Sequence, residues 1–313
     1  SIYYQAAGDA GLARRVAELL GQLHGAASRV APPPPAEARV WLSRSGQAGG
    51  EQYHDSIYLF AVDVSRSDSE WVREVAHELG HVLLPSFARY DAPEPMENGY
   101  LGQRLLPQCL LELGEPVVWD GRVALAASVR ERGIPLRSRY LDAGPDSPLR
   151  IDRGPAGMDY AIGMILALEA QHGPAFLARV MRHAVGEGLE SLLLAYRDEV
   201  AAAGAYRIPA ALVIPRLSRA RGMSGGRLHF QRAAYRAYLP SGRWSLTPHG
   251  EALEGVQMRV DSRPLPLPGG SSGEPRFALE TGVSQWHVLQ LEARGSGAAL
   301  AEIAIEPAPR TLP

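Results

Sequence analysis

The 313-residue chain contains no lysine, so all 32 of its basic residues are arginine, and it has one asparagine, Asn98, and one cysteine, Cys109. Each scarcity excludes a chemistry. Without an ε-amine there is no Schiff-base or pyridoxal-phosphate catalysis and no Walker A phosphate loop. A single cysteine excludes an internal disulfide framework and a thiolate zinc cluster. The 32 basic residues stand against 34 acidic ones, a net charge of −2, so the basic excess of a dedicated nucleic-acid binder is missing and no nucleic-acid partner is expected. Long apolar runs are missing too, and nothing reads as a membrane span. Arginine, alanine, glycine and proline rise together where lysine falls, as GC-rich coding sequence would produce. The first residue is Ser1, which fits removal of an export leader and a cut chain alike; an extracytoplasmic location is the expectation.

What is present divides in two. Hydrophobic residues make up 46% and charged residues 21%, ordinary values for a globular protein, and the length suits two domains at roughly 150 residues each. From Asp9 to about Val30, Leu12, Val16, Leu19, Leu20 and Leu23 recur at helical spacing behind a capping Asp9. Residues 39–43 and 56–62 read as strands separated by a Gly49-Gly50 turn. Helices are expected over 68–84 and 96–113, the latter interrupted or kinked at Pro107, then over 158–184 and 189–203. Near residue 222, Gly222, Gly225 and Gly226 mark a change from helical periodicity to alternation. Short strands follow at 228–230, 256–260, 277–279, 286–291 and 300–305. The expected architecture is an α+β domain over 1–220 and an all-β sandwich, jelly-roll-like, over 225–313.

One motif carries chemistry. Residues 77–81 read His-Glu-Leu-Gly-His. On a helix the i and i+4 positions share a face, so His77 and His81 can present both imidazoles to one metal ion. Glu78 points into the same cavity at another angle, where it can take a proton from water activated by that metal. Val72, Val75, Leu79, Val82 and Leu83 make the helix apolar, as burial at an active site requires. Zinc wants a third protein ligand and one open position. Residue 87 is Phe87, so no histidine stands at the metzincin distance, and a carboxylate remains: Asp91, Glu94, Glu97, Glu112 and Glu115 are the candidates.

His77-Glu78-x-x-His81, followed by Glu97-Asn98-Gly99-Tyr100 at the start of the next helix, resembles the gluzincin metallopeptidases, particularly the aminopeptidase N-like group. In that group the third ligand lies in a Trp-x-x-Glu-Gly-x-Ala pattern. Here Glu94 stands at the tryptophan position, and Asn98 separates Glu97 from Gly99. The resemblance implies a thermolysin-like catalytic domain, Zn²⁺ held by His77, His81 and Glu97, and Glu78 as general base. A second similarity lies at Tyr160-Ala161-Ile162-Gly163, leading into Leu168-Glu169 and Gly173-Pro174-Ala175-Phe176. It implies that Tyr160 donates a hydrogen bond to the oxyanion. A third lies at Gly49-Gly50-Glu51-Gln52, where the family's glutamate holds a substrate's free amine and Glu51 is the matching residue. The strand over 56–62 can in turn pair with an extended peptide.

The expected activity is therefore zinc-dependent hydrolysis of a peptide or protein, by an endo- or an aminopeptidase. A retired metallopeptidase fold that binds glycan or protein through its sandwich is the alternative. His183, expected on the same helix as Tyr160, is a weaker oxyanion candidate. Arg130, Arg132, Arg137 and Arg139 cluster in a stretch read as a loop and suit a solvated face. Cys109 reads as a buried small hydrophobe, and Trp244 and Trp286 read as core of the sandwich ahead of a glycan platform.

Overall fold

A computed structural model describes residues 1–31, 38–114, 117–118, 121–184, 188–213, 223–224, 227–266, 274–294 and 297–308. The glycines at 222, 225 and 226 and Glu115 lie outside the described residues. The fold is α+β, and no helix among the described residues is long and apolar enough to cross a membrane.

The chain forms two compact units. One comprises Ser1–Arg139, Pro148–Leu166 and Pro174–Leu192; the other comprises Tyr140–Ser147, Ala167–Gly173 and Leu193–Pro313. These units are discontinuous in sequence, and their first division falls at 139–140, ahead of the boundary expected at 220–225. Aromatic packing within the second unit explains it: Tyr196 stacks on Trp286 with ring centroids 5.5 Å apart, and the Tyr235 hydroxyl donates to Gln171.

In the first unit, strands β1 (Ile2–Tyr4), β2 (Arg39–Leu42) and β4 (Ser56–Phe60) run parallel, and β3 (Gly49–Tyr53) pairs antiparallel with β4. The order β1-β2-β4-β3 puts β3 at the edge. The Gly49-Gly50 pair expected to turn is therefore the start of an edge strand. The strand expected to receive a peptide, β4, is interior and already paired on both sides. One sheet face buries Val40, Leu42, Ile57 and Leu59. The other carries Tyr3 stacked on Trp41 at 4.2 Å, with Tyr58 next in the row.

Helices α1 (Ala10–Ala27), α2 (Asp68–Leu83) and α3 (Asn98–Leu113) contribute to that unit's core. The α2 start is a capping box, in which Glu70 N–H donates to Ser67 Oγ and Ser67 N–H donates to the Glu70 carboxylate. Pro107 is accommodated inside α3, and Gly114 ends that helix in the left-handed region at φ 72°. Gly80 and Gly102 let α2 and α3 approach closely. A Cβ on Gly80 would lie 2.4 Å from the Asn98 carbonyl oxygen, and one on Gly102 would lie 2.4 Å from that of Ala76.

The stretch from 121 to 151, for which the sequence predicts no element, is mostly helical: α4 (Gly121–Ser128), a π turn (Val129–Gly133), α5 (Ile134–Ala143) and a 3₁₀ turn (Pro148–Ile151). The four arginines read as a loop cluster thus sit on helical backbone. The helix expected over 158–184 is two, α6 (Pro155–His172) and α7 (Pro174–His183), because Gly173 at φ 82° breaks it. His183 therefore lies on the helix after the one bearing Tyr160. Helix α8 (Leu189–Ala203) follows as expected.

The second unit is β-sandwich-like. Strands β5 (Tyr206–Pro209), β6 (Met223–Ser224), β7 (Arg227–His229), β9 (Gly242–Glu251), β12 (Phe277–Thr281) and β14 (Ala299–Pro307) form one sheet, ordered β12-β9-β14-β7-β6 with β5 also on β14. Strands β8 (Arg232–Leu239), β10 (Gln257–Val260), β11 (Arg263–Pro264) and β13 (Gln285–Glu292) form the other, ordered β11-β10-β13-β8. Trp244 is buried, and its indole N–H donates to the Pro240 carbonyl at 2.9 Å, so it packs as core.

Candidate metal centre

Helix α2 aligns its two histidines as the spacing requires. The Nε2 atoms of His77 and His81 are 3.2 Å apart, and the rings stand edge to face at 84°. The third group brought to them is Glu94. Its Oε2 lies 3.2 Å from His77 Nε2 and 3.6 Å from His81 Nε2, and ligand atoms of all three residues lie within 4.8 Å of one another. The other oxygen, Glu94 Oε1, is buried with no hydrogen-bond partner among the described residues.

Glu97, the third ligand implied by the family resemblance, is placed elsewhere. It is fully buried just before α3; its Oε1 accepts from the Phe87 N–H at 2.6 Å and its Oε2 from the Ser86 hydroxyl at 2.9 Å. Its carboxylate anchors the 86–88 backbone instead of facing the histidines. The difference arises in the loop between α2 and α3. Arg89 and Met96 form a β-bridge, and Tyr90 N–H donates to the Pro95 carbonyl at 2.9 Å. The hairpin so made carries Glu94 to the imidazoles.

Both imidazoles are held from behind. His81 Nδ1–H donates to Asn98 Oδ1 at 2.8 Å, which leaves Nε2 with its lone pair free. Asn98 is itself fixed by donating Nδ2–H to the Leu84 carbonyl at 3.1 Å. Gln103 contacts His77 Nδ1; with the amide oxygen turned to the ring, Nδ1–H donates there in the same way. Gly99, next to Asn98, keeps the front of the site open. A Cβ there would stand 2.4 Å from His81 Nε2 and 2.8 Å from His77 Nε2.

Glu78 is 4% exposed, with Oε1 4.0 Å from His77 Nε2. Burial pushes its carboxyl up to about 7, against the opposing pull of His77 and His81. Burial pushes Glu94 the same way, but when the imidazoles carry a second proton, on Nε2, hydrogen bonds from His77 and His81 outweigh it and hold Glu94 down at about 2. The contrast gives two carboxyls opposite tendencies at one site: Glu94 is a persistent anion, and Glu78 can take and release a proton near neutrality.

The edge strand passes over Glu78: a Cβ on Gly50 would be 2.6 Å from Glu78 Oε1. Strand alternation then carries Glu51 to the opposite, aromatic face, where it pairs in register with Tyr58 and is exposed. Glu51 thus points away from the triad. Tyr160 is buried within α6 at 2% exposure. The phenol beside the triad is Tyr100, whose ring is edge-on to His77 at a centroid distance of 5.1 Å. Sequence reasoning missed Asn98, Gln103 and Tyr100 as parts of the site. The available signal was Asn98 itself, the lone asparagine, placed at a helix start seventeen residues after His81.

The donor set fits zinc. Two imidazole nitrogens at Zn–N ≈ 2.0–2.1 Å in tetrahedral geometry would be about 3.4 Å apart, close to the 3.2 Å between these Nε2 atoms. One carboxylate with an orphaned oxygen completes three ligands, and Gly99 leaves room for a fourth.

No family model matches the chain, and no curated protein matches it. Among solved structures it is similar to a GH26-CBM35 β-(1,4)-mannanase from Podospora anserina, at 11% identity and a TM-score of 0.25, over 35% of this chain and 29% of that one. It is also similar to the CBM35 from Cellvibrio japonicus Abf62, at 13% identity and 0.22, over 32% of this chain and 91% of that one. A third is BtGH115A, a family GH115 4-O-methyl-α-glucuronidase with specificity for decorated arabinogalactans, at 11% identity and 0.23, over 68% of this chain and 32% of that one. The chain spans about a third of the length of the mannanase and of the glucuronidase, and scores this low carry no inference about fold or activity.

Proposed function

We propose that this chain is a zinc-dependent peptide hydrolase of the gluzincin kind, with His77, His81 and Glu94 as the metal ligands. The supporting observation is the convergence of His77 Nε2, His81 Nε2 and a Glu94 oxygen within 4.8 Å, beside a buried Glu78. The family resemblance of the motif and the parallel sheet with one antiparallel edge strand beside its helix agree with a thermolysin-like arrangement.

Zinc in such a site supplies Lewis-acid polarisation of water and of a scissile carbonyl. The chain's own residues do the rest. Glu78 accepts the proton of the attacking water on its carboxylate and later delivers it to the leaving amine. Its elevated proton affinity suits both halves of that task. The outer edge of β3 offers unpaired backbone groups beside Glu78, where an extended peptide can add as a further strand. A phenol completes the oxyanion site: Tyr160 by resemblance, with Tyr100 next to His77 as the second hydroxyl to be tested by substitution to Phe.

Two measurements test the reading. Elemental analysis should find about one zinc per chain after reloading; protein that cannot be reloaded would favour a retired binding protein. Glu78→Gln should keep the zinc and lose peptide hydrolysis by at least about a hundredfold, the lower end of general-base contributions. Full activity in a zinc-bearing Glu78→Gln protein would refute the mechanism.

A further inference from the structure

The loop that delivers Glu94 has a second face. Ser86, Tyr90 and Met96 on that loop, with Arg89, line a cavity of about 440 Å³ that is completed by Arg150 and Arg153. Asp91 N–H donates to the Arg153 carbonyl at 2.8 Å, so the loop is tied to the opposite wall of the cavity. The Ser86 hydroxyl also donates to Glu97, the residue preceding α3. The metal centre and this cavity therefore share one wall, residues 86–96.

The cavity's charge is unbalanced. Arg150 reaches Glu190 at 3.5 Å. Asp152, the acidic residue in the lining, is turned to α6, where its carboxylate accepts from Gly154 N–H at 3.0 Å and from Gly157 N–H at 3.1 Å. Arg89 and Arg153 make no ion pair among the described residues. Tyr90 contributes to the wall, 6% exposed, with its hydroxyl sealed off from the cavity.

We infer that this cavity is the specificity subsite of the metal centre and that it takes the carboxylate of an acidic residue in a peptide substrate. Two guanidinium forks, those of Arg89 and Arg153, provide bidentate partners for a carboxylate. Met96 and Ile151 also line the cavity and can cover the methylenes of a glutamate side chain. This inference rests on the peptide-hydrolase reading, so its test separates the two.

Two acetylated tetrapeptides identical but for one Glu or Gln are titrated calorimetrically into zinc-loaded Glu78→Gln protein, and their hydrolysis by the wild type is followed in parallel. The Glu peptide should bind at least about tenfold more tightly at low salt, with the gap closing as salt rises. Arg89→Ala with Arg153→Ala should abolish the gap. Both side chains are exposed, so folding should survive. Equal affinity for the two peptides, or a preference that outlives the double arginine change, would overturn the subsite. Selective binding without cleavage by the wild type would leave the subsite standing and remove the hydrolase; cleavage without selectivity would do the reverse.

Discussion

Asn98 Oδ1 accepts the His81 Nδ1–H at 2.8 Å, while Asn98 Nδ2 donates to the carbonyl that ends helix α2. One residue thus fixes both the tautomer of His81 and the angle at which α3 leaves the loop. Partners of this kind set the basicity and aim of a metal-bound imidazole.

Asn98→Ala should therefore lower zinc affinity by about 10–100-fold, measured by competition with a chelator of known strength. Asn98→Asp, which keeps an acceptor, should restore most of it. Unchanged affinity in the alanine variant would mean that the contact does not orient the ligand.

The two loop glutamates should separate cleanly. Glu94→Gln should remove stoichiometric zinc while leaving thermal stability of the metal-free protein near the wild-type value. Glu97→Gln should keep zinc but destabilise the fold by about 1–3 kcal/mol, because it weakens buried hydrogen bonds to Phe87 and Ser86. The opposite assignment of phenotypes, by zinc content and melting temperature, would restore Glu97 as ligand.

Gly99→Ala should behave differently from Gly80→Ala. The first places a methyl in front of both Nε2 atoms and should cost zinc binding more than stability. The second drives a methyl into the Asn98 carbonyl at the helix crossing and should cost about 1–3 kcal/mol of stability, as overpacking does. Chemical unfolding and zinc titration of both variants check the contrast.

The acid limb of stability has an identifiable contributor away from the candidate metal centre. Arg44 grips Asp9 with two hydrogen bonds, at 2.8 and 3.0 Å, and holds its carboxyl below the ordinary value. A carboxyl lowered in the folded state contributes stability above its unfolded pKa and loses it as pH falls through the folded one. Melting temperature should fall less steeply below about pH 4 in Asp9→Asn than in wild type. Parallel curves would show that the pair contributes nothing to acid sensitivity.

Legibility in the sequence followed the range of the interactions involved. Helices α1, α2 and α8 are set by local periodicity, α2 also by its capping box, and their limits came close to the expected ones; Asp9, expected to cap α1, makes no side-chain cap hydrogen bond and is held by Arg44 instead. The His77, Glu78 and His81 constellation is equally local, a matter of helical pitch. The edge strand was hidden because Gly49-Gly50 has turn propensity, and its extended form comes from pairing with β4. The carboxylate beside the imidazoles was hidden for a related reason. The family resemblance points to Glu97, whereas Glu94 arrives through a bridge between Arg89 and Met96. Nor does periodicity reveal that Gly173 splits one apolar helical stretch into α6 and α7, since apolar residues continue across the break.

The edge position of β3 has a kinetic signature. Amides on the side of β3 that faces away from β4 have no strand to protect them and should exchange with solvent deuterium quickly, while those directed at β4 exchange slowly. The strand beside Glu78 thus contains its own occupancy gauge: any chain that lies down along it silences alternate residues of Gly49–Tyr53 and no others.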